Sequence, residues 1–408
     1  MNLKSKYIFD GQFGLERETL RVTENGAMAQ TPHPFISDKN LSRDFCENQL
    51  ELITPVYGSI DELMENLEKL DNNARAALSN SGEYMWMNSN PPHIESENDI
   101  PIAEFHGAME FKRDYRLNLE RRYGKRLMLY SGIHFNFSFS EKLIKSLYDG
   151  KSTYKVFKSA LYFCLLKQVF RYSWLLVLLT AASPVYDMSL LGDGLSGSGF
   201  GGFSSLRNSK KGYWNQFVPI LDYTDLSSYV KSVDEYIRKG ALFSAGELYL
   251  PVRLKPHKVN SLESLIENGV DHIELRMFDL NPLSPLGVFR DDLEFAYYFL
   301  IYLTQLPDFV FTPELQETAV RNHQSASLYD ISEITINGYP AEDAAFGLLD
   351  DMSEYFHDFP KVLESINQQK AKITENKRYC SAVYDLLIDD FQGKMLEISK
   401  KNGGDGSV

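Results

Sequence analysis

Four segments of this chain carry the two-residue period of apolar and polar positions that marks a half-buried β-strand. The clearest is Gly132-Ile133-His134-Phe135-Asn136-Phe137-Ser138-Phe139, inside a strand predicted over 129–140. Ile133, Phe135, Phe137 and Phe139 share one face; His134, Asn136 and Ser138 share the other. In Ile273-Glu274-Leu275-Arg276-Met277-Phe278-Asp279 the same period sets Ile273, Leu275 and Met277 against Glu274 and Arg276. The segment 14–22 puts Glu16 and Glu18 on one strand face, although acids are poor strand formers. In 44–55, Glu47 and Glu51 share a face if the strand is continuous. Asp44 then has the opposite parity, and a bend or bulge is needed to bring it in. Each apolar face calls for a covering layer of helices.

Helical spacing predicts that layer. Residues 59–80 have Ser59 as a cap, Asp61 and Glu62 in the first turn, and Leu63, Leu67 and Leu70 on one stripe. Residues 109–124 form a second helix, rich in Arg and Glu and stopped at Gly124. Residues 154–182 read as a long buried helix ending near Ser183-Pro184. Further helices are expected over 226–239, 288–305 and 341–399, and strands near 247–254 and 270–279. The glycine-rich stretch 187–205 reads as a loop that is flexible by composition. It lacks G-x-x-x-x-G-K-[ST], so a mobile lid or plain linker is the simpler reading than a phosphate cradle.

The 408 residues are 43% hydrophobic, ample for a large core. A net charge of −14 argues against nucleic acid or an anionic membrane as the main partner. The apolar run 174–182 is shorter than the roughly 20 residues that span a bilayer. No apolar h-region follows Met1-Asn2-Leu3-Lys4, so no signal peptide is expected. Cys46, Cys164 and Cys380 are far apart and form no C-x-x-C, which suits a reduced cytoplasm.

Taken singly, each polar face has an ordinary explanation. Glu16 with Glu18, or Glu274 with Arg276, is a solvated strand face; His134 is a hydrogen-bonded structural histidine; Asp44 is a turn residue. Four such faces together are more simply one curved sheet lining a polar cleft. So many acids in one cleft repel one another unless cations neutralise them. Hard cations with oxygen ligands fit, and zinc fits less well, because no Cys/His cluster exists. Several Mg²⁺ ions with arginines suit a nucleoside triphosphate.

The stretches F-G-L-E-R-E-T-L-R-V at 13–22, T-P-H-P at 31–34, D-F-C-E-N-Q-L-E-L-I-T-P at 44–55, S-G-I-H-F-N-F-S at 131–138 and I-E-L-R-M-F-D-L-N-P at 273–282 resemble bacterial glutamate–cysteine ligase. In particular they resemble the ligase module that forms the first half of bifunctional glutathione synthases. The resemblance covers about 13–290; residues 300–408 share only a general likeness. It implies an α+β fold like that of glutamine synthetase, a curved, mainly antiparallel sheet forming a cleft surrounded by helices. It implies a catalytic ligase domain over 1–340 with a C-terminal helical region over 341–400 packed on it; the glycine-rich end, 401–408, reads by composition as a disordered tail. The implied reaction joins L-glutamate, through its phosphorylated γ-carboxylate, to L-cysteine with ATP as co-substrate.

By this resemblance Glu16, Glu18, Asp44, Glu51, His134 and Glu274 fall on positions that bind Mg²⁺ (or Mn²⁺). Arg276 falls on the arginine near the transferred phosphate, and Glu18 is the second catalytic candidate. Arg207 and Tyr213 match substrate-binding positions, and Tyr115, Leu119, Tyr249 and Arg253 match positions around the amino-acid pocket. Periodicity alone makes Tyr115 and Leu119 helix core. Phe45 is placed to line a thiol pocket or to pack in the core. Two departures stand out: only a dozen residues precede Phe13, where the family has a further helix, and Met128 replaces a polar pocket residue of the proteobacterial enzymes. The chain reads as a stand-alone ligase or as one module of a longer protein, with a separate glutathione synthetase downstream. A γ-glutamyl ligase for another amine and a non-catalytic amino-acid or nucleotide binder stay open.

Overall fold

The computed structural model describes residues 6–35, 38–105, 107, 110–257 and 259–402. Its strands are β1 (Gly11–Thr23), β2 (Leu41–Arg43), β3 (Gln49–Ile53), β4 (Glu83–Trp86), β5 (Gly132–Phe139), β6 (Val185–Asp187), β7 (Ser198–Phe200), β8 (Val252–Pro256), β9 (Val270–Asp279), β10 (Thr335–Ile336) and β11 (Tyr339–Pro340). The helices are α1 (Ile60–Ser79), α2 (Phe111–Tyr123), α3 (Glu141–Leu147), α4 (Tyr154–Thr180), α5 (Leu226–Arg238), α6 (Leu262–Asn268), α7 (Arg290–Leu303), α8 (Pro313–Ala326), α9 (Ala341–Tyr355), α10 (Pro360–Thr374), α11 (Tyr379–Leu387) and α12 (Phe391–Lys401).

One antiparallel sheet runs β2-β3-β1-β5-β9-β8, with β4 paired to β1. The expected α+β architecture is what forms, because four strands each have an apolar face to bury. Phe13 and Leu15 of β1, Phe135 and Phe137 of β5, and Ile273 and Leu275 of β9 join one buried cluster with α4 and α7. Phe13 meets Tyr297 of α7 edge-on at 4.9 Å. Helix α4 starts at the surface, with Lys155, Val156 and Ala160 exposed, and from Leu161 onward it is almost wholly buried, with apolar residues on every side. It is 27 residues, long and apolar enough to cross a membrane by length and composition, and 83% of its most apolar window is buried inside the fold. Helices α9 and α10 join the same cluster, while α11 and α12 pack with β4 and β6 in a second one.

Several details depart from the pattern reading. The stretch 44–55 is not one strand: a turn over 44–48 joins β2, which ends at Arg43, to β3. Glu47 therefore leaves the face of Glu51. Its carboxylate accepts from the backbone N–H of His33 and of Glu104 and from Arg43. In β9 the pairs Ile133–Phe278 and Phe135–Leu275 enclose a register shift, so β9 holds one residue more than β5 there. This bulge swaps parity: Phe278 takes the apolar face, while Met277 lines a small cavity with Arg207 and Arg276. Tyr249 lies ahead of β8, after a short 3-10 turn at Ala245–Glu247. The expected tail begins with Lys401 closing α12; residues 403–408 lie outside the described residues.

The glycine-rich stretch is a built segment and not an open linker. It holds a 3-10 turn, Met188–Leu191, and the β6–β7 hairpin. Its root is tied down by His93, whose Nδ1 lies 2.9 Å from Asp187 Oδ1, with Nε2 3.3 Å from Glu95 Oε2. Partial burial works against the charged ring, but the two carboxylates raise its pKa above the ordinary value. A raised folded-state pKa stabilises the fold in full below the unfolded value, and that gain is lost as pH rises through the folded one. Melting temperatures of wild type and His93→Asn should therefore differ most below about pH 6.5 and converge in alkali. A gap that widens with rising pH would exclude the ion pair.

Candidate active site

The polar face of the sheet is the floor of a cleft of about 210 Å³. Strand pairing decides which side chains meet. Glu18 lies directly opposite Glu51, and Glu16 lies opposite His134. Asn136 and Arg253 flank Glu274 from either side. The turn between β2 and β3 brings in Asp44 and Phe45, so a hairpin rather than a bulge puts Asp44 beside the acids. Arg116 holds that turn: its Nε donates to Asp44 O, and its Nη2 lies 3.7 Å from Asp44 Oδ1. Helix α2 roofs the cleft with Tyr115 and Leu119, one turn apart on one face.

The acids are not equivalent. Glu18 Oε2 accepts the Gly132 N–H at 2.9 Å, yet burial raises its pKa even with His134 and arginines near. Glu51 is held well above the carboxylate range by burial, then by the charges of Glu16, Asp44 and Glu18. Burial works against ionisation of Glu274 too, but Lys255 and Arg276 outweigh it and hold its pKa far down. Arg276 Nη1 donates to Glu274 Oε1 at 2.5 Å. Lys255 Nζ lies against Oε2 without hydrogen-bond geometry. Tyr115 is pushed up to about 12 by burial.

His134 Nδ1 lies 3.3 Å from Glu16 Oε2. Arg276 Nη1 reaches the same nitrogen at 3.4 Å, and Nε2 faces Glu18 Oε1 at 3.6 Å. That buried Nε2 has no hydrogen-bond partner among the described residues. A histidine held at one nitrogen by charged neighbours, with no hydrogen bond at the other, can turn that second nitrogen to a metal. Ligand atoms of Glu16, His134 and Glu274 lie within 4.8 Å of one another. Two raised carboxylates, an orphaned ring nitrogen and an oxygen-rich donor set fit hard divalent cations.

Behind the acids lie the cationic and aromatic groups. Arg207, on the segment between β7 and α5, lays its guanidinium on Gly132, and that side chain makes no hydrogen bond to another described residue. Tyr213 and Tyr249 pack at 4.3 Å between ring centres, and both line the cleft. Arg253 Nη2 donates to Gly246 O and Leu248 O, so this arginine also braces the turn ahead of β8. Of the residues named from the sequence as site candidates, all but Glu274 line this cleft or the cavity adjoining it, and the fully buried Glu274 sets a ligand atom within 4.8 Å of those of Glu16 and His134. Lys255, Arg116 and Gly246 join without having been singled out. The alternation Val252-Arg253-Leu254-Lys255 carries the signal for Lys255. For Arg116 the sequence carries none, since its partner is a turn 72 residues away.

A curled antiparallel sheet with an acid-lined polar face and a helical roof is the architecture of ATP-dependent glutamate–cysteine ligases. The glutamate–cysteine ligase of Francisella tularensis, solved in complex with AMP, superposes with a TM-score of 0.85 at 25% identity, covering 97% of this chain and 88% of that one. A bifunctional glutathione synthetase from Pasteurella multocida superposes with a TM-score of 0.84 at 26% identity, over 97% of this chain and 53% of that one. The sequence profile of the glutamate-cysteine ligase family matches residues 1–245 and 237–326. The chain belongs to the glutamate-cysteine ligase family. It is 38% identical over 404 residues to the glutathione biosynthesis bifunctional protein GshAB of Listeria monocytogenes, and 33% identical over 402 residues to that of Clostridium perfringens. These alignments cover 92% and 90% of this chain but 52% and 51% of the relatives, so the chain spans about half their length.

Proposed function

We propose that this chain ligates the γ-carboxylate of L-glutamate to the amine of L-cysteine, with ATP converted to ADP and phosphate, in the first step of glutathione biosynthesis. The observation that carries the reading is the convergence of Glu16, Glu18, Asp44, Glu51 and His134 in one cleft, with Glu274 against Glu16 and His134 and with His134 Nε2 lacking a hydrogen-bond partner among the described residues. These six residues would hold Mg²⁺ or Mn²⁺. When bound, the ions neutralise charge where the ATP phosphates meet the glutamate carboxylate. Arg276, fixed by Glu274, offsets charge developing on the transferred phosphoryl group. Arg207 takes an amino-acid carboxylate in a two-point contact. Tyr115, Leu119, Tyr213, Tyr249, Arg253 and Phe45 shape the amino-acid pocket. The protein's contribution is positioning and electrostatics, which phosphoryl transfer chiefly requires. Residues 1–340 act as the catalytic part, 341–400 as its helical buttress, and a glutathione synthetase would use the product. A reducing cytoplasm suits three free cysteines.

Phosphate release with ATP, Mg²⁺ and glutamate, tested across a panel of amines with mass detection of the product, checks this. Cysteine is expected to stimulate release and to give γ-glutamylcysteine. Met128, buried in the cleft wall, favours a second reading: ligation of glutamate to another amine. Stimulation by another amine with none by cysteine would select it. Nucleotide binding without turnover of any amine would make the chain a binder instead.

A further inference from the structure

Arg207 sits on neither a helix nor a strand. Its segment is held by a buried chain of hydrogen bonds that ends on α8 and α4. Asn208 Nδ2 donates to Ser205 Oγ and to Met277 O, each at 2.9 Å, with Asp279 Oδ1 at 3.3 Å. These donations fix the amide's orientation, so Asn208 Oδ1 is the acceptor. It accepts from His323 Nε2 at 3.2 Å. His323 Nδ1 then keeps its lone pair and accepts from Ser173 Oγ at 2.7 Å. The Asp279 carboxylate closes the other side, accepting from Ser205 Oγ, Ser183 Oγ and the Ala182 N–H.

His323 is 1% exposed, and Trp214 packs edge-on against its ring at 5.1 Å. The same indole donates to Asn208 O. Burial, and then the Arg207 charge, lowers the His323 pKa to about 3, so the ring is neutral and has a single N–H to give. Among the described residues no hydrogen bond joins His323 or Asn208 to Glu16, Glu18, Asp44, Glu51 or Glu274, or to the Arg276 side chain. A loss in this network therefore falls on Arg207 and leaves the phosphoryl-transfer groups in place.

We propose that His323, acting through Asn208, is a positioning residue that holds the Arg207 guanidinium on Gly132, where it meets a substrate carboxylate. Only the identity of that carboxylate rests on the ligase reading. The variants His323→Phe, which removes the donor, and His323→Gln, which keeps one, test it by steady-state kinetics and by crystal structure. Losing one buried donor is expected to raise the KM of one amino-acid substrate roughly tenfold in His323→Phe, with kcat and the ATP KM within about twofold. His323→Gln should recover most of the KM. The His323→Phe crystal structure should show Arg207 moved off Gly132. An unmoved Arg207, an unchanged KM, no recovery with Gln, or a uniform fall in kcat, every KM and melting temperature would overturn the proposal. If wild type turns over no amine, the ligase reading fails, while the position of Arg207 in the variant still decides the role of His323.

Discussion

Glu18→Gln is expected to abolish turnover, a loss of roughly a thousandfold or more in kcat, while the cation-free protein melts no lower than wild type. The two outcomes have one cause. Glu18 and Glu51 are directly opposed on neighbouring strands, an unfavourable like-charge pair unless something positive lies between them. Both have raised pKa values, Glu51 strongly so, with burial the largest contribution and neighbouring acids adding to it. Glutamine is close in size and keeps an oxygen to accept the Gly132 N–H, so the strand contact at that point survives. It removes one charge from the repulsive set and one ligand from the cation set. Wild type should gain melting temperature when Mg²⁺ is added, and the variant should gain much less. Unchanged activity would remove Glu18 from the site; a variant that melts well below wild type without cation would show that repulsion is not the dominant force there.

Gly132→Ala should lower kcat/KM about a hundredfold, the scale of losing a charge-assisted two-point contact, with little change in the urea midpoint. A Cβ at position 132 would stand 2.4 Å from Arg207 Cζ and Nη2 and 2.7 Å from Nε. The obstacle is the far end of a flexible side chain, so the strain is relieved by swinging the arginine away rather than by opening the sheet. The Arg207 side chain makes no hydrogen bond to another described residue that would hold it against that push. Kinetics with each substrate, beside urea unfolding, would check the separation. Full activity would mean that Arg207 does not need its seat on Gly132, and loss of the fold would mean that the contact is structural.

Both predictions start from residues that were legible as a pattern. Period-two alternation placed Glu16, Glu18, His134 and Glu274 on polar strand faces, and the structure keeps each of them there. The pattern failed where a single residue changes parity. Reading 44–55 as one strand put Glu47 with Glu51, but the turn over 44–48 sends Glu47 to cap backbone N–H groups elsewhere. Alternation likewise put Met277 with Leu275, and the bulge in β9 turns it toward Arg207. Bulges and hairpins answer to strand partners far along the chain, which local periodicity does not contain.

The sequence alone determined the kind of chemistry: hydrophobes on one strand face demanded a helical cover, and acids on the other demanded neutralisation. Which acids confront one another was decided by tertiary pairing. β1 sets Glu18 against Glu51 and Glu16 against His134 across separations of 33 and 118 residues. The supports were decided there too. Arg116 reaches Asp44 from a helix, and His323 reaches Asn208 across 115 residues. A hydrogen bond or an opposed charge pair depends on distances of a few ångströms between side chains, and those distances exist only once the sheet has closed and its helices have packed.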